Sequence, residues 1–87
     1  MQFQHWREHL NKGDVVEIDC SHRCNVKLMD DSNFNRFKRS DRHSYYGGHY
    51  DRLPARIVVP HTGTWNITLD LGGGSANIRF GMRVIPA

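Results

Sequence analysis

The chain has 87 residues, with twelve Lys and Arg against nine Asp and Glu for a net charge of +3 at pH 7, a pI near 9.2 and a mass of 10.1 kDa. That length allows one domain with a thin core and little room for an enclosed cavity, so a ligand is expected on a surface or at an interface. The small positive excess favours anionic partners only mildly and falls short of the concentrated charge of a dedicated DNA binder, which leaves nucleic acid a disfavoured partner.

The opening MQFQHWREHL lacks the apolar core of a secretory leader and no stretch approaches a membrane span, so a cytoplasmic protein without a membrane anchor is expected. Two cysteines are too few for a disulfide scaffold, which agrees with a reducing compartment. Met1 to Trp6 predicts a first strand with Phe3 facing in, although Phe3, Trp6 and Leu10 also have the spacing of one side of a helical turn. Asn11-Lys12-Gly13-Asp14 is a turn, with Gly13 free to take the positive φ that hairpin loops need. Val16, Ile18 and Cys20 then alternate with Val15, Glu17 and Asp19, the period of a half-buried strand. Ser21-His22-Arg23 turns the chain, and Cys24, Val26 and Leu28 continue an apolar face with Asn25 and Lys27 opposite.

From Asp30 to Leu53 the alternation stops, and charges, rings and Gly47-Gly48 take over. Asp31 or Ser32 is expected to cap a short helical turn near Ser32–Lys38, with Phe34 and Phe37 pinning it to the core and Arg36, Lys38 and Arg39 projecting outward. The strand pattern resumes at Ala55 to Val59, where Ile57-Val58-Val59 is β-branched throughout. Pro60-His61-Thr62-Gly63 is a turn. In Thr64 to Leu71, Trp65, Ile67, Leu69 and Leu71 point one way and Thr64, Asn66, Thr68 and Asp70 the other. After a Gly72-Gly73-Gly74-Ser75 break, Ala76, Ile78, Phe80, Met82 and Val84 form a last inward face, with Arg79 and Arg83 outside. Some six to eight short strands with one apolar face each predict an all-β fold: a single small antiparallel β-sandwich over 1–87, jelly-roll or Greek-key-like, with Trp65 its largest core residue.

The segments Gly13-Asp14-Val15-Val16, Asn25 to Phe34, Tyr45-Tyr46-Gly47-Gly48-His49, Val59 to Asn66 and Leu69-Asp70-Leu71-Gly72-Gly73, in that order along nearly the whole chain, resemble the DUF1883 family of bacterial domains of unknown function. The resemblance implies a small all-β domain that occurs alone or joined to TIR domains, signalling modules that in bacteria often cleave nicotinamide dinucleotide. It implies a TIR-type effector as a protein partner and supplies no catalytic residue.

The motifs that suggest chemistry each meet a physical objection. Cys20, His22 and Cys24 have ligand chemistry for zinc, but both cysteines are in phase with buried residues, His22 sits at the turn tip, and no fourth donor is spaced to join them; buried thiols or a disulfide between them are the alternatives. Asp31-x-Asn33-x-Asn35 opens like a calcium loop, yet Arg36 and Arg42 stand where Gly and Glu are required. No metal and no cofactor are therefore assigned. A small hydrolase or nuclease using His43 or His49 with Asp41 or Asp51 has no nucleophile motif or phosphate loop behind it, so no catalytic residue is assigned and a non-enzymatic role is expected.

What asks for a function is the basic, aromatic region: Arg36, Lys38, Arg39 and Arg42 with Tyr45, Tyr46 and His49. Guanidinium groups clasp phosphate or carboxylate and tyrosines stack on bases or sugars. These seven residues are the expected contact set of a recognition or protein-interaction module, a sensor or adaptor for an anionic or glycan-like ligand or a protein surface. A structural homo-oligomer joined at its sheet edges is the alternative from another class.

Overall fold

The computed structural model describes residues 3–70 and 79–87. Among the described residues, seven strands and one helix run in the order β1 (Phe3–Leu10), β2 (Val15–Cys20), β3 (Cys24–Met29), α1 (Asp31–Lys38), β4 (Tyr46–Tyr50), β5 (Ala55–Val58), β6 (Gly63–Asp70) and β7 (Phe80–Ile85). They form a four-stranded sheet, β1-β6-β3-β4, and a three-stranded sheet, β5-β2-β7, antiparallel at every pairing. Only β3 and β4 follow one another within a sheet; every other pair of successive strands lies in opposite sheets, the crossing pattern of a jelly-roll-like sandwich. The turn at Asn11–Asp14 is therefore a corner between sheets and not a hairpin, with Gly13 at φ 89° and its N–H donating to the Val59 carbonyl.

The alternation predicted for β2, β3 and β6 is present. Val16, Ile18, Val26, Leu28, Ile57, Trp65, Ile67 and Leu69 interleave between the sheets in one core, the arrangement that lets two sheets remove one face each from water. The first segment is a strand throughout, so the helical spacing of Phe3, Trp6 and Leu10 is not used. Trp6 and Leu10 join the sandwich core. Phe3 instead faces the other side, against Phe34 and Phe37 of α1. Leu71, the Gly72–Ser75 break, Ala76 and Ile78 lie outside the described residues. Phe80 is less inward than its parity suggested, 40% exposed at the sandwich edge with its ring edge-on to Trp6.

Two expectations about polarity are corrected. Asn66 and Thr68 of β6, assigned to an outer face, are 0% and 1% exposed, because α1 and its phenylalanines cover that side of the larger sheet. Glu17 of β2 is also buried, because Arg56 and Arg83 flank it in register on the neighbouring strands. Arg56 Nε donates to it at 2.9 Å and Arg83 Nε at 2.6 Å. Those hydrogen bonds, Arg83's first and then Arg56's, hold the Glu17 carboxyl below its usual range.

Candidate functional site: an aromatic cleft beside the helix

The helix that organises the site starts one residue earlier than the cap predicted for it. Asp30, not Asp31 or Ser32, is the N-cap: it is extended, and its Oδ1 accepts from the Asn33 backbone N–H at 2.8 Å, satisfying an otherwise orphaned donor. Asp31 in the first helical turn is used elsewhere. Arg7 of β1 donates to both its oxygens, at 3.1 and 2.8 Å, and the Asn66 amide donates to Oδ1 at 2.8 Å. Arg7 above all, then Asn66, brings the Asp31 carboxyl down to about 2. Because the Asn66 nitrogen is committed to Asp31 and the Met29 carbonyl, its oxygen accepts from His5 Nε2 at 2.9 Å, and the His5 ring stacks on Phe34 with centroids 4.0 Å apart.

The helix closes with Ser40 at φ 61°. Ser40 N–H donates to the Phe37 carbonyl and Asp41 N–H to the Arg36 carbonyl, the two bonds of a Schellman ending formed here without glycine. The chain then returns along the helix. Asn33 Oδ1 accepts from Ser44 N–H at 2.9 Å, which ties the returning segment to the first turn. His43 donates from Nδ1 to the Asp41 carbonyl and accepts from Lys27 Nζ at 3.2 Å. That ammonium lies 5.0 Å from the Phe37 centroid and 4.4 Å from the Tyr45 centroid, a cation held between rings.

Tyr46 to Tyr50, within the stretch where the strand alternation stops, is nevertheless the edge strand β4. Its alternation is erased by two glycines, of which Gly47 has a specific task. Gly47 lies at φ 109°, and a Cβ there would collide with the Val26 carbonyl oxygen and crowd Ile57; the close neighbour is the protein's own backbone. Tyr46 pairs with Leu28 and His49 with Asn25, so their side chains leave opposite faces of the strand.

Around Leu28 and Met29 these elements leave a cleft of about 300 Å³. It is lined by Asp30 and Asn33 from the helix start, by Ser44, Tyr45 and Tyr46 from the returning segment, and by His61 and Trp65 from the turn into β6. Trp65 is buried, with its indole N–H donating to the His61 carbonyl at 3.0 Å. The His61 ring lies 4.7 Å from it and Tyr46 meets it edge-on at 5.9 Å. Tyr45 and Tyr46 are 44% and 48% exposed, and Asp30 is the one charged side chain among the described lining residues apart from any charge on His61.

The structure distributes the seven residues singled out by sequence over separate parts of the surface. Tyr45 and Tyr46 line the cleft. Lys38 lies over the Phe34 ring in a separate groove with His5, Arg7 and Asp31. Arg36, Arg39 and Arg42 are exposed, and Arg39 pairs with Asp41 at 3.2 Å. His49 is at the other end of β4, between Asn25 Oδ1 at 3.3 Å and Asp51 Oδ1 at 2.9 Å. His61, Trp65, Asp30 and Asn33 were missed: Trp65 reads as core, His61 as turn, and only the crossing from β5 to β6 brings them beside Tyr46.

Residues 1–87 match the family described as Domain of unknown function (DUF1883). The chain belongs to the DUF1883 family. No curated protein and no solved structure matches it, so the DUF1883 assignment carries no residue roles and the cleft is argued from its chemistry alone. Cys20 and Cys24 are free and buried, and no three His, Cys, Asp or Glu side chains come together as metal donors among the described residues. Nor does any described helix have the length and apolarity to cross a membrane.

Proposed function

We propose that this DUF1883 domain is a non-enzymatic recognition module that holds a neutral sugar-like ring in the cleft between Tyr45, Tyr46, His61 and Trp65. The carrying observation is the lining itself. Exposed aromatic faces stand beside a carboxylate, an amide and a hydroxyl, with no Lys or Arg among the described lining residues. Aromatic faces take the C–H surface of a sugar, and the polar groups of Asp30, Asn33 and Ser44 take its hydroxyls. A phosphate or carboxylate would meet no Lys or Arg among these lining residues and would face the Asp30 carboxylate. The side chains are held in advance, Asn33 by Asp30 and Ser44 and Trp65 by His61, so little ordering remains for a ligand to impose. In this role the domain is the sensor, and an effector of the TIR type that the family resemblance implies is the partner reading its occupancy.

The test is a ¹⁵N NMR titration with neutral mono- and oligosaccharides, with nucleotides as the anionic comparison. Saccharides should move amides at 28–33, 44–46 and 61–65, and Tyr46→Ala, at an exposed position, should weaken binding about tenfold, the loss of one stacked ring. Shifts confined to Lys38, Arg39 and Arg42 with nucleotides, or none with any saccharide, would refute the cleft as the site.

A further inference from the structure

Cys20 ends β2 in the three-stranded sheet and Cys24 begins β3 in the four-stranded sheet, separated only by the Ser21-His22-Arg23 corner. Both belong to the core that the two sheets share, and the two thiols are hydrogen-bonding neighbours across the corner where the chain passes from one sheet to the other. They are 7% and 2% exposed. Their surroundings differ in one respect. Cys20 lines a surface cleft of about 370 Å³ with Asp19, Ser21, Arg79, Phe80 and Gly81, whereas Cys24 lies behind it, directly opposite Tyr50 in the register with β4.

We infer that Cys20 and Cys24 are a dithiol modification site, oxidised to an intramolecular disulfide by a low-molecular-weight disulfide such as oxidised glutathione, with Cys20 as the attacking thiol reached through the cleft and Cys24 as the resolving thiol. Arg79 and Asp19 both line the cleft, so an oxidant that carries carboxylates and ammonium groups, as oxidised glutathione does, meets a partner of each sign. Cys20 Sγ loses its proton to water and attacks one sulfur of the small disulfide, whose other half leaves as a thiolate and takes up a proton. Cys24 Sγ then loses its proton, attacks Cys20 Sγ and expels the second small thiol. Two protein thiols are oxidised by two electrons, and one small disulfide is reduced to two thiols. Burial first, and then the neighbouring Cys20, push the Cys24 thiol up to about 12, so the second step draws on a small thiolate fraction that grows with pH. The product joins the two sheets covalently at one corner. It lies at the opposite end of β3 from the aromatic cleft, so ligand binding there is a separate property.

The experiment incubates the folded protein in glutathione buffers between pH 7 and 9, quenches with acid, alkylates under denaturing conditions and measures intact and tryptic masses. The expected product is two hydrogens lighter, carries neither alkyl nor glutathione groups, and after cleavage at Arg23 yields two peptides joined by a disulfide. Its formation should quicken by about tenfold per pH unit, and Cys24→Ser should stop with glutathione on Cys20. Full alkylation of both cysteines in the most oxidising buffer, glutathione retained as the end product on the unsubstituted protein, or a rate unchanged with pH would overturn the assignment.

Discussion

The two sheets share a core but differ on their far sides. The four-stranded sheet carries a second layer: Phe3, Phe34, Phe37 and Met29 pack beneath α1, and Asn66 and Thr68 are buried there although they are polar. Over the three-stranded sheet no described element lies, and Val58 is 62% exposed above the Arg56–Glu17–Arg83 row. A polar side chain hidden on the covered face needs specific partners, and Asn66 has them: its amide nitrogen donates to Asp31 and the Met29 carbonyl, and its oxygen accepts from His5. The bare face needs only charges that answer one another. The cleft is built at the edge of the covered face, where side chains are already fixed from two directions.

That contrast can be broken most decisively at Phe37. Phe37→Ala should cost about 3 kcal/mol in urea unfolding, against a total stability for such a domain of about 5–10 kcal/mol; a loss under about 1 kcal/mol would mean the helix layer is ornamental. A smaller effect should come from acid. Asp31, near 4 when unfolded and about 2 when folded, contributes stability that is complete above about pH 4 and is lost as pH falls through about 2. Unfolding midpoints should therefore drop across that window and drop less in Asp31→Asn. The smallest effect belongs to the bare face: Val58→Thr should change stability by no more than about 0.5 kcal/mol, and a larger loss would reveal a cover over that sheet.

Much of the sandwich is legible in the sequence because a strand with one buried face writes its period directly. Val16-x-Ile18-x-Cys20 and Trp65-x-Ile67-x-Leu69 are such runs, and both lie in the shared core. The second layer is not legible in the same way. The burial of Asn66 depends on a helix more than thirty residues earlier in the chain, and nothing local distinguishes it from a solvated asparagine. Gly47-Gly48 hides β4 for a related reason: the residue that fits against Val26 and Ile57 must have no side chain, and so contributes nothing to a pattern of side chains. The cap was displaced by one residue because two adjacent aspartates compete for it, and the cross-strand demand of Arg7 takes the second. For the cleft, Tyr45 and Tyr46 could be found as rings beside a Gly-Gly pair, while its other half arrives by topology.

The crossing connections also bear on how the molecule is made. Among the described residues β1 pairs only with β6, which begins at Gly63, so during synthesis β1 waits without that partner until more than fifty further residues have been produced. Through that interval it is an unpaired edge, open to pairing with other copies. Its exposed residues Gln4, Arg7, Glu8 and His9 are polar on both faces of the strand, the kind of composition that discourages such pairing before β6 arrives.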